Sequence, residues 1–422
     1  MTAVLHALRA FVTTRLLSRR SLSRAAFERQ QAKTLSRWLR QDLPKAPFYR
    51  DSAPDLAALP VIDKALVMAN FEHFNTRGVT AETAWDAIGR DSRIGDLTVG
   101  SSTGTSGNRG LFVISEPEKY RWLGFILAKT IADILWRRQR VAVILPQNTS
   151  LYDSARKTGR IDLRFFDLKL GPERWQTALE DFNPTVIIAP PRILAHFAME
   201  KARLTPVRVF SAAETLDPVD RTGIEAYFGL RLDQIYMATE GLLAVTCRKG
   251  GLHLAEDSVY FEFEPVGDGL VSPLVTSFRR QTQIMARYRM NDLLRLSKTP
   301  CSCGSPLITV DEVVGRMDDV FRLDSPSGPI LVTPDILRNS VLLADRRIQD
   351  FRLVQTTPRD IELHLPPALP ADAATAAVNA VTSLLASRAA QASVTLVSTP
   401  LGLDTSRKLR RVECRVKREQ PA

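Results

Sequence analysis

Thr185-Val186-Ile187-Ile188-Ala189, a helix-length segment over 192–204, and then Val207-Arg208-Val209-Phe210: this succession decides the fold. The first and last pieces are short apolar runs rich in β-branched residues, the pattern of strands buried on both faces. A helix-length segment between two such runs reads as a strand–helix–strand unit, which leaves the strands parallel. Working outward, Val141-Ala142-Val143-Ile144-Leu145 repeats the strand signal upstream, and Pro218–Phe228 repeats the helix signal downstream. The rhythm predicts an α/β domain whose mostly parallel sheet is flanked by helices.

After about residue 317 the texture changes. Residues 351–356 and 360–365 read as strands, 371–388 as an Ala-rich helix, and 393–397 as a further strand; Leu365-Pro366-Pro367-Ala368-Leu369-Pro370 reads as a turn. The expected organisation is a large α/β domain over 1–317 and a small α+β domain over 318–422, long enough to fold separately.

Of the 422 residues, 45% are hydrophobic and 24% charged, an ordinary composition for a folded soluble chain. No run of eighteen or so apolar residues occurs, so no membrane span is expected. The first residues are interrupted by Arg9, Arg15, Arg19 and Arg20 and offer no small-residue cleavage site, unlike a secretory signal. Val4, Leu5, Leu8, Phe11, Val12 and Leu16 recur at helical spacing, which predicts a helix docked on its own domain; a membrane-surface helix is the competing reading.

The formal net charge is +11, with +9 carried by residues 1–50 and +4 by residues 401–422, so the remainder is close to neutral. A nucleic-acid groove usually runs through a fold and interleaves basic with aromatic residues, and these ends do not. Such ends suit an anionic nucleotide, a phosphopantetheine-bearing partner, or nothing beyond solubility. A basic nucleic-acid binder without ATP chemistry is the reading of another class, and it predicts strongly salt-dependent, ATP-independent binding. Four cysteines argue against a disulfide framework and fit a reducing, cytoplasmic setting.

The strongest local signal is Ser101-Ser102-Thr103-Gly104-Thr105-Ser106-Gly107-Asn108-Arg109-Gly110. Glycines let backbone N–H groups approach an anion, and hydroxyls donate to phosphate oxygens. No Gly-Lys-Ser/Thr closes the loop, so a Walker-type kinase is disfavoured; a flexible linker is the plainer alternative.

The loop resembles the phosphate-binding loop of adenylate-forming enzymes, in the branch containing phenylacetate–CoA ligase and the coenzyme-adenylylating synthetases. Further motifs of that family follow in order. Ser211-Ala212-Ala213-Glu214 resembles the small-small-Glu segment of the adenine pocket, and Tyr236-Met237-Ala238-Thr239-Glu240 resembles Tyr-Gly-x-Thr/Ser-Glu, with Met237 in place of glycine. Arg287-Tyr288-Arg289-Met290-Asn291-Asp292 resembles the ribose-binding segment and Gly315-Arg316-Met317-Asp318-Asp319 the hinge. Ser406-Arg407-Lys408-Leu409-Arg410-Arg411-Val412 resembles the terminal Gly-Lys-x-x-Arg-Val, with Arg407 in place of glycine. Upstream, Pro47-Phe48-Tyr49-Arg50 and Leu59-Pro60-Val61-Ile62-Asp63-Lys64 are similar to the start of the phenylacetate–CoA ligase branch.

The resemblance implies ATP-dependent activation of a carboxylic acid, of aromatic type, to an acyl-adenylate, and transfer to the thiol of coenzyme A or an acyl carrier protein. Ser101, Ser102, Thr103, Gly104, Thr105, Ser106 and Gly107 would cradle phosphates. Ala213, Glu214, Tyr236, Asp292 and Arg316 would hold the rest of the nucleotide, with Asp292 on the ribose hydroxyls. Glu240, beside Thr239, would hold Mg²⁺, which prefers oxygen ligands. Lys408 would bring a compact positive charge to the α-phosphate and then withdraw as the small domain turned about Asp318. The acid would lie near residues 145–152, 212–216 and 236–238. The alternative enzyme reading stops at adenylyl transfer, with AMP placed on a cofactor or macromolecule.

Cys247 and His253, with Cys301 and Cys303, supply three thiolates and an imidazole, a donor set suited to a closed, structural tetrahedral zinc. Cys414 has no candidate partner in the sequence.

Overall fold

The computed structural model describes residues 2–102, 109–146, 157–158, 160–405 and 408–416. Two compact units divide the chain. The larger comprises Met1–Leu216, Asp220–Met290 and Leu294–Glu312, and the smaller Asp217–Val219, Asn291–Leu293 and Val313–Ala422.

In the larger unit the strands Ile161–Asp167, Gln139–Leu145, Val186–Ala189, Arg208–Ala212 and Leu232–Ala238 lie side by side in that order, all parallel. The runs 141–145 and 186–189 are apolar without alternation because both of their faces are covered. Ala142, Ile144, Ile187 and Val209 meet Trp175, Leu179, Ile193, Phe197 and Ile224 from the helices Pro172–Phe182, Pro191–Met199 and Pro218–Phe228. Val141, Val143, Val186 and Phe210 point the other way, onto Ala128 of the helix Glu116–Thr130 and Phe11 of the first helix, Thr2–Leu17. A side chain as enclosed as Phe197 or Phe210 contributes about 1.5–3 kcal/mol by leaving water. Past Leu232–Ala238 the sheet turns antiparallel through Gly241–Thr246 and Leu252–Leu254. A separate small antiparallel sheet is built from Arg93–Ile94, Leu97–Ser101 and Leu111–Ser115.

Two expectations need correction. The helix expected over 192–204 ends at Met199: Lys201 takes a left-handed φ of +50° and the Ala202 N–H donates back to the Phe197 carbonyl at 3.1 Å, a Schellman-type stop. Ala202 and Leu204 are buried beyond that stop, and this burial is what made the segment look like continued helix. In the first helix, Phe11 and Thr14 face inward, whereas Val4, Leu5, Leu8, Val12 and Leu16 are exposed. The helix docks by close approach: a Cβ on Gly124 would stand 1.9 Å from the Ala7 carbonyl oxygen, so only glycine fits there.

The smaller unit is α+β. Its sheet runs Ser393–Ser398, Asp360–Leu365, Arg352–Thr357, Val412–Cys414, with the helices Pro334–Ala344 and Ala371–Ser387 packed on it. Its core gathers Phe321, Phe351, Leu353, Ile361, Leu363 and Val381. The main division between the units falls at Glu312/Val313 rather than 317/318, so Arg316 and Asp318 lie inside the smaller unit. No helix of the described residues is long and apolar enough to cross a membrane.

Candidate active site

The motif residues of the larger unit follow the carboxyl ends of its parallel strands, where open α/β sheets bind ligands. Ala213 and Glu214 follow Arg208–Ala212, and Thr239 and Glu240 follow Leu232–Ala238.

The Gly-rich loop springs from the antiparallel pair Leu97–Ser101 and Leu111–Ser115. Its stem is closed by the Ser102 N–H donating to the Gly110 carbonyl at 2.7 Å and the Gly110 N–H donating to Ser102 Oγ at 2.8 Å. Arg109 locks the stem: its guanidinium donates to Ser101 Oγ at 2.6 Å and lies 4.8 Å from the centre of the Trp85 ring. The tip residues Thr103, Gly104, Thr105, Ser106 and Gly107 lie outside the described residues, as do residues 147–152 of the expected acid pocket.

Two segments distant in sequence converge on this stem. A Cβ on Gly110 would stand 3.2 Å from Lys64 Cε, 3.8 Å from Lys64 Nζ and 3.7 Å from Thr239 Oγ1. Lys64 opens the short helix Lys64–Ala69, which Asp63 caps by accepting from the Leu66 N–H at 2.8 Å. The preceding residues are stitched to the sheet: the Ile62 N–H donates to the Arg287 carbonyl, the Arg289 N–H donates to the Ile62 carbonyl, and Arg287 Nη1 donates to the Leu59 carbonyl at 2.7 Å. The loop stem, a fixed ammonium and the Thr239–Glu240 turn thus share one neighbourhood. The sequence offered Lys64 only as part of a family-like segment, and nothing in its spacing linked it to the loop.

Glu240 is 8% exposed, on the turn before Gly241–Thr246. Gly241, at a φ of +138°, makes that turn possible. Thr239 Oγ1 donates to Glu240 Oε2 at 3.1 Å, and Ser277 Oγ donates to the Glu240 carbonyl at 3.3 Å. Behind it lies Arg280: burial pulls its guanidinium below the ordinary value, and the carboxylates of Glu118 and then Glu240 oppose that pull. Glu118, 3% exposed, accepts from Ser115 Oγ at 2.6 Å, from the Gln281 N–H at 2.6 Å and from Thr282. Burial pushes Glu118 up, but Arg280 and these hydrogen bonds outweigh it and hold the carboxyl below its usual range. Sequence reasoning missed both residues; the Ser115-x-x-Glu118 capping box was the one readable trace.

Ala213 has a φ of +69°, a strained left-handed conformation for alanine, in the segment assigned to the adenine pocket. Glu214 is tied to Arg192 in a buried ion pair at 2.9 Å, which anchors this segment to the helix Pro191–Met199. Tyr236 is half-buried on the neighbouring strand Leu232–Ala238.

In the smaller unit, Asn291 donates to Asp318, and the Met317 N–H donates to the Asn291 carbonyl at 3.0 Å, which fastens the segment bearing Asp292 to the one bearing Arg316 and Asp318. The terminal segment is equally anchored. Arg410 pairs with Asp319, and Arg411 with Asp217, whose other oxygen binds Arg338 at 3.0 Å. The Leu353 N–H donates to the Arg411 carbonyl at 2.7 Å. Arg410 and Arg411 are thus committed to buried carboxylates, and Lys408 beside them is half-buried.

The metal-type cluster is well formed. Donor atoms of Cys247, His253, Cys301 and Cys303 all lie within 4.8 Å of one another. Cys247 Sγ is 3.6 Å from Cys301 Sγ, and Cys303 Sγ is 3.2 Å from His253 Nε2. Tetrahedral zinc with Zn–S bonds of about 2.3 Å sets sulfurs about 3.8 Å apart, close to the Cys247–Cys301 separation. His253 Nδ1 is 2.9 Å from the Leu307 carbonyl and donates to it, which turns the Nε2 lone pair toward the thiols. The N–H groups of Lys249 and Ser305 donate to Cys247 and Cys303 sulfur, each at 3.4 Å. Burial, then the neighbouring Cys247, pushes the Cys303 thiol up to about 12, and burial pushes His253 down, so its imidazole stays neutral. A Cβ on Gly251 would meet Cys301 Sγ at 2.7 Å.

No protein-family model matches the chain. It is 24% identical over 234 residues to Protein CapK of Staphylococcus aureus, covering 55% of this chain and 49% of that protein. It is 26% identical over 168 residues to phenylacetate-coenzyme A ligase of Thermus thermophilus, covering 35% of this chain and 38% of that one. The chain thus spans half or less of the length of the curated relatives it matches. Among solved structures it is similar to 2-hydroxyisobutyryl-CoA ligase in the postadenylation state, in complex with 2-HIB-AMP. That likeness has a TM-score of 0.71 at 17% identity and covers 93% of this chain and 91% of that one. The chain therefore has the adenylate-forming ligase fold, and its curated relatives include a member of the phenylacetate–CoA ligase branch that its motifs resemble.

Proposed function

We propose that this protein activates a carboxylic acid with ATP to an acyl-adenylate and passes the acyl group to the thiol of coenzyme A or an acyl carrier protein. The observation that carries the reading is the convergence of the Gly-rich loop stem, Lys64 and the Thr239–Glu240 turn at the carboxyl edge of a parallel sheet. A carboxylate attacking ATP must approach another anion, and the displaced pyrophosphate concentrates charge. Backbone N–H groups and hydroxyls of residues 101–107, with the Lys64 ammonium, offset that charge. The Glu240 carboxylate and Thr239 hydroxyl are oxygen donors of the kind Mg²⁺ takes, and the ion would neutralise phosphate charge when bound. Asp292 holds the ribose, and Ala213, Glu214, Tyr236 and Arg316 frame the rest of the nucleotide. Lys408 stabilises the transition state at the α-phosphorus and retires as the smaller unit turns about Asp318. The resemblance to phenylacetate–CoA ligase favours an aromatic acid. We assign Cys247, His253, Cys301 and Cys303 to a structural zinc, which has no open position for catalysis.

Pyrophosphate release is measured with ATP and Mg²⁺ over a panel of aryl and alkyl acids, with each thiol acceptor supplied in turn. Acid-dependent release followed by thioester is the expected result. Release with AMP retained on a cofactor or macromolecule would point to adenylyl transfer instead. No acid-dependent release across the panel would sink the proposal.

A further inference from the structure

The first helix, Thr2–Leu17, is apolar on two faces, the pattern of a helix covered on both sides. One face is covered, by Phe11 and Thr14 turned inward and by the Ala7 backbone pressed against Gly124. The other is open: Val4 is 67% exposed, Leu5 58% and Leu16 51%. This open face runs into a groove of about 470 Å³ between Val12 and Leu16 on one side and Trp136 on the other. Trp136 is 74% exposed, beside exposed Leu135. A continuous apolar strip about 24 Å long, with an indole at its end, marks an interaction surface rather than scattered surface leucines.

The rim of this strip is positive throughout. Arg9, Arg15, Arg19 and Arg20 are exposed, and Arg248 lines the groove from the turn that bears Cys247. No carboxylate interrupts the chain before Glu28. Arg15 and Arg248 face the groove together: partial burial, then the Arg248 charge, holds Arg15 below its ordinary value. None of Arg9, Arg15, Arg19, Arg20 or Arg248 has an ion-pair partner among the described residues.

From this we infer that the open face of the first helix, with Trp136, seats the protein on an anionic membrane surface. Apolar side chains and an indole enter the interface while arginines meet lipid phosphates, as an interfacial helix requires. A second copy of the chain fits less well, because pairing this face with itself would bring two arginine rims together. The surface belongs to the larger unit and leaves the loop stem and Glu240 untouched.

The test uses the full chain and sedimentation with vesicles of phosphatidylcholine alone or with added phosphatidylglycerol. Binding to the anionic vesicles, weakened by salt, is expected, with little binding to the neutral ones. Replacing Arg15, Arg19 and Arg20 by serine should lower partition on the order of a hundredfold, at about 1 kcal/mol per arginine. The double substitution Leu8→Asp and Val12→Asp, at exposed positions, should abolish partition while the circular dichroism and pyrophosphate release stay unchanged. Equal binding by that variant and the parent, or no binding to anionic vesicles, overturns the inference. A dimer or a complex with an acidic protein, lost in the variant and formed without lipid binding, also overturns it and assigns the face to that partner.

Discussion

Replacing Lys64 by alanine should weaken adenylation without unfolding the protein. The ammonium lies 3.8 Å from where a Gly110 Cβ would stand, at the stem of the Gly-rich loop. A phosphate oxygen about 5 Å from it feels roughly 3 kcal/mol of attraction at an effective dielectric of about 20. Desolvation of the ammonium takes back part of this, leaving about 1.5–3 kcal/mol at the transition state, a loss of about 10- to 100-fold in kcat/KM. Stability should change by less than about 1 kcal/mol, because Asp63 still caps the helix and Lys64 is half-buried. The assay is pyrophosphate release at varied ATP, with the melting temperature recorded in parallel. Lys64→Arg keeps the charge and should recover part of the rate. A folded Lys64→Ala protein with unchanged kcat/KM for ATP would refute the reasoning, since the charge would then not reach the phosphates.

Lys408→Ala should abolish adenylation and leave thioester formation from a supplied acyl-adenylate largely intact; equal loss of both half-reactions would contradict a role confined to the first. Gly251→Ala, whose Cβ would stand 2.7 Å from Cys301 Sγ, should lower bound zinc measured by metal analysis, as should Cys303→Ser. Chelation of the parent protein should lower its melting temperature toward that of the variants, and full zinc content in both variants would argue against the site. Glu118→Gln should cost about 3 kcal/mol at neutral pH, because it removes the larger of the two carboxylate charges that offset buried Arg280. Since the folded Glu118 carboxyl lies below its ordinary value of about 4.5, its contribution is full above that pH and fades as pH falls through the folded value. The parent should therefore show an acid-side loss of stability that the variant lacks, and parallel pH–stability curves would refute it.

Local pattern carried the architecture. The run Val141–Leu145 alternates Val141 and Val143 toward one layer of helices and Ala142 and Ile144 toward the other, so an unbroken apolar run had to be a strand covered twice. The smaller unit has a core of its own, built from apolar positions beyond residue 320, and the change of texture near residue 317 lies a few residues past the division at Glu312/Val313. The four metal-type ligands were legible as a donor set, since chemistry alone selects three thiols and an imidazole. The face that the first helix leaves open could not be read, because helical spacing is the same whichever side is covered.

The early stop after Met199 was hidden for a related reason: Ala202 and Leu204 are buried without being helical, and burial rather than periodicity set their apolarity. Only the tertiary structure brought Lys64 beside Gly110 and Thr239, put the buried Arg280 guanidinium under the charges of Glu118 and Glu240, and committed Arg410 and Arg411 to carboxylates far along the chain. Contacts of that kind depend on which surfaces meet once loops close, and a single sequence records the periodicity of each surface but not its partner.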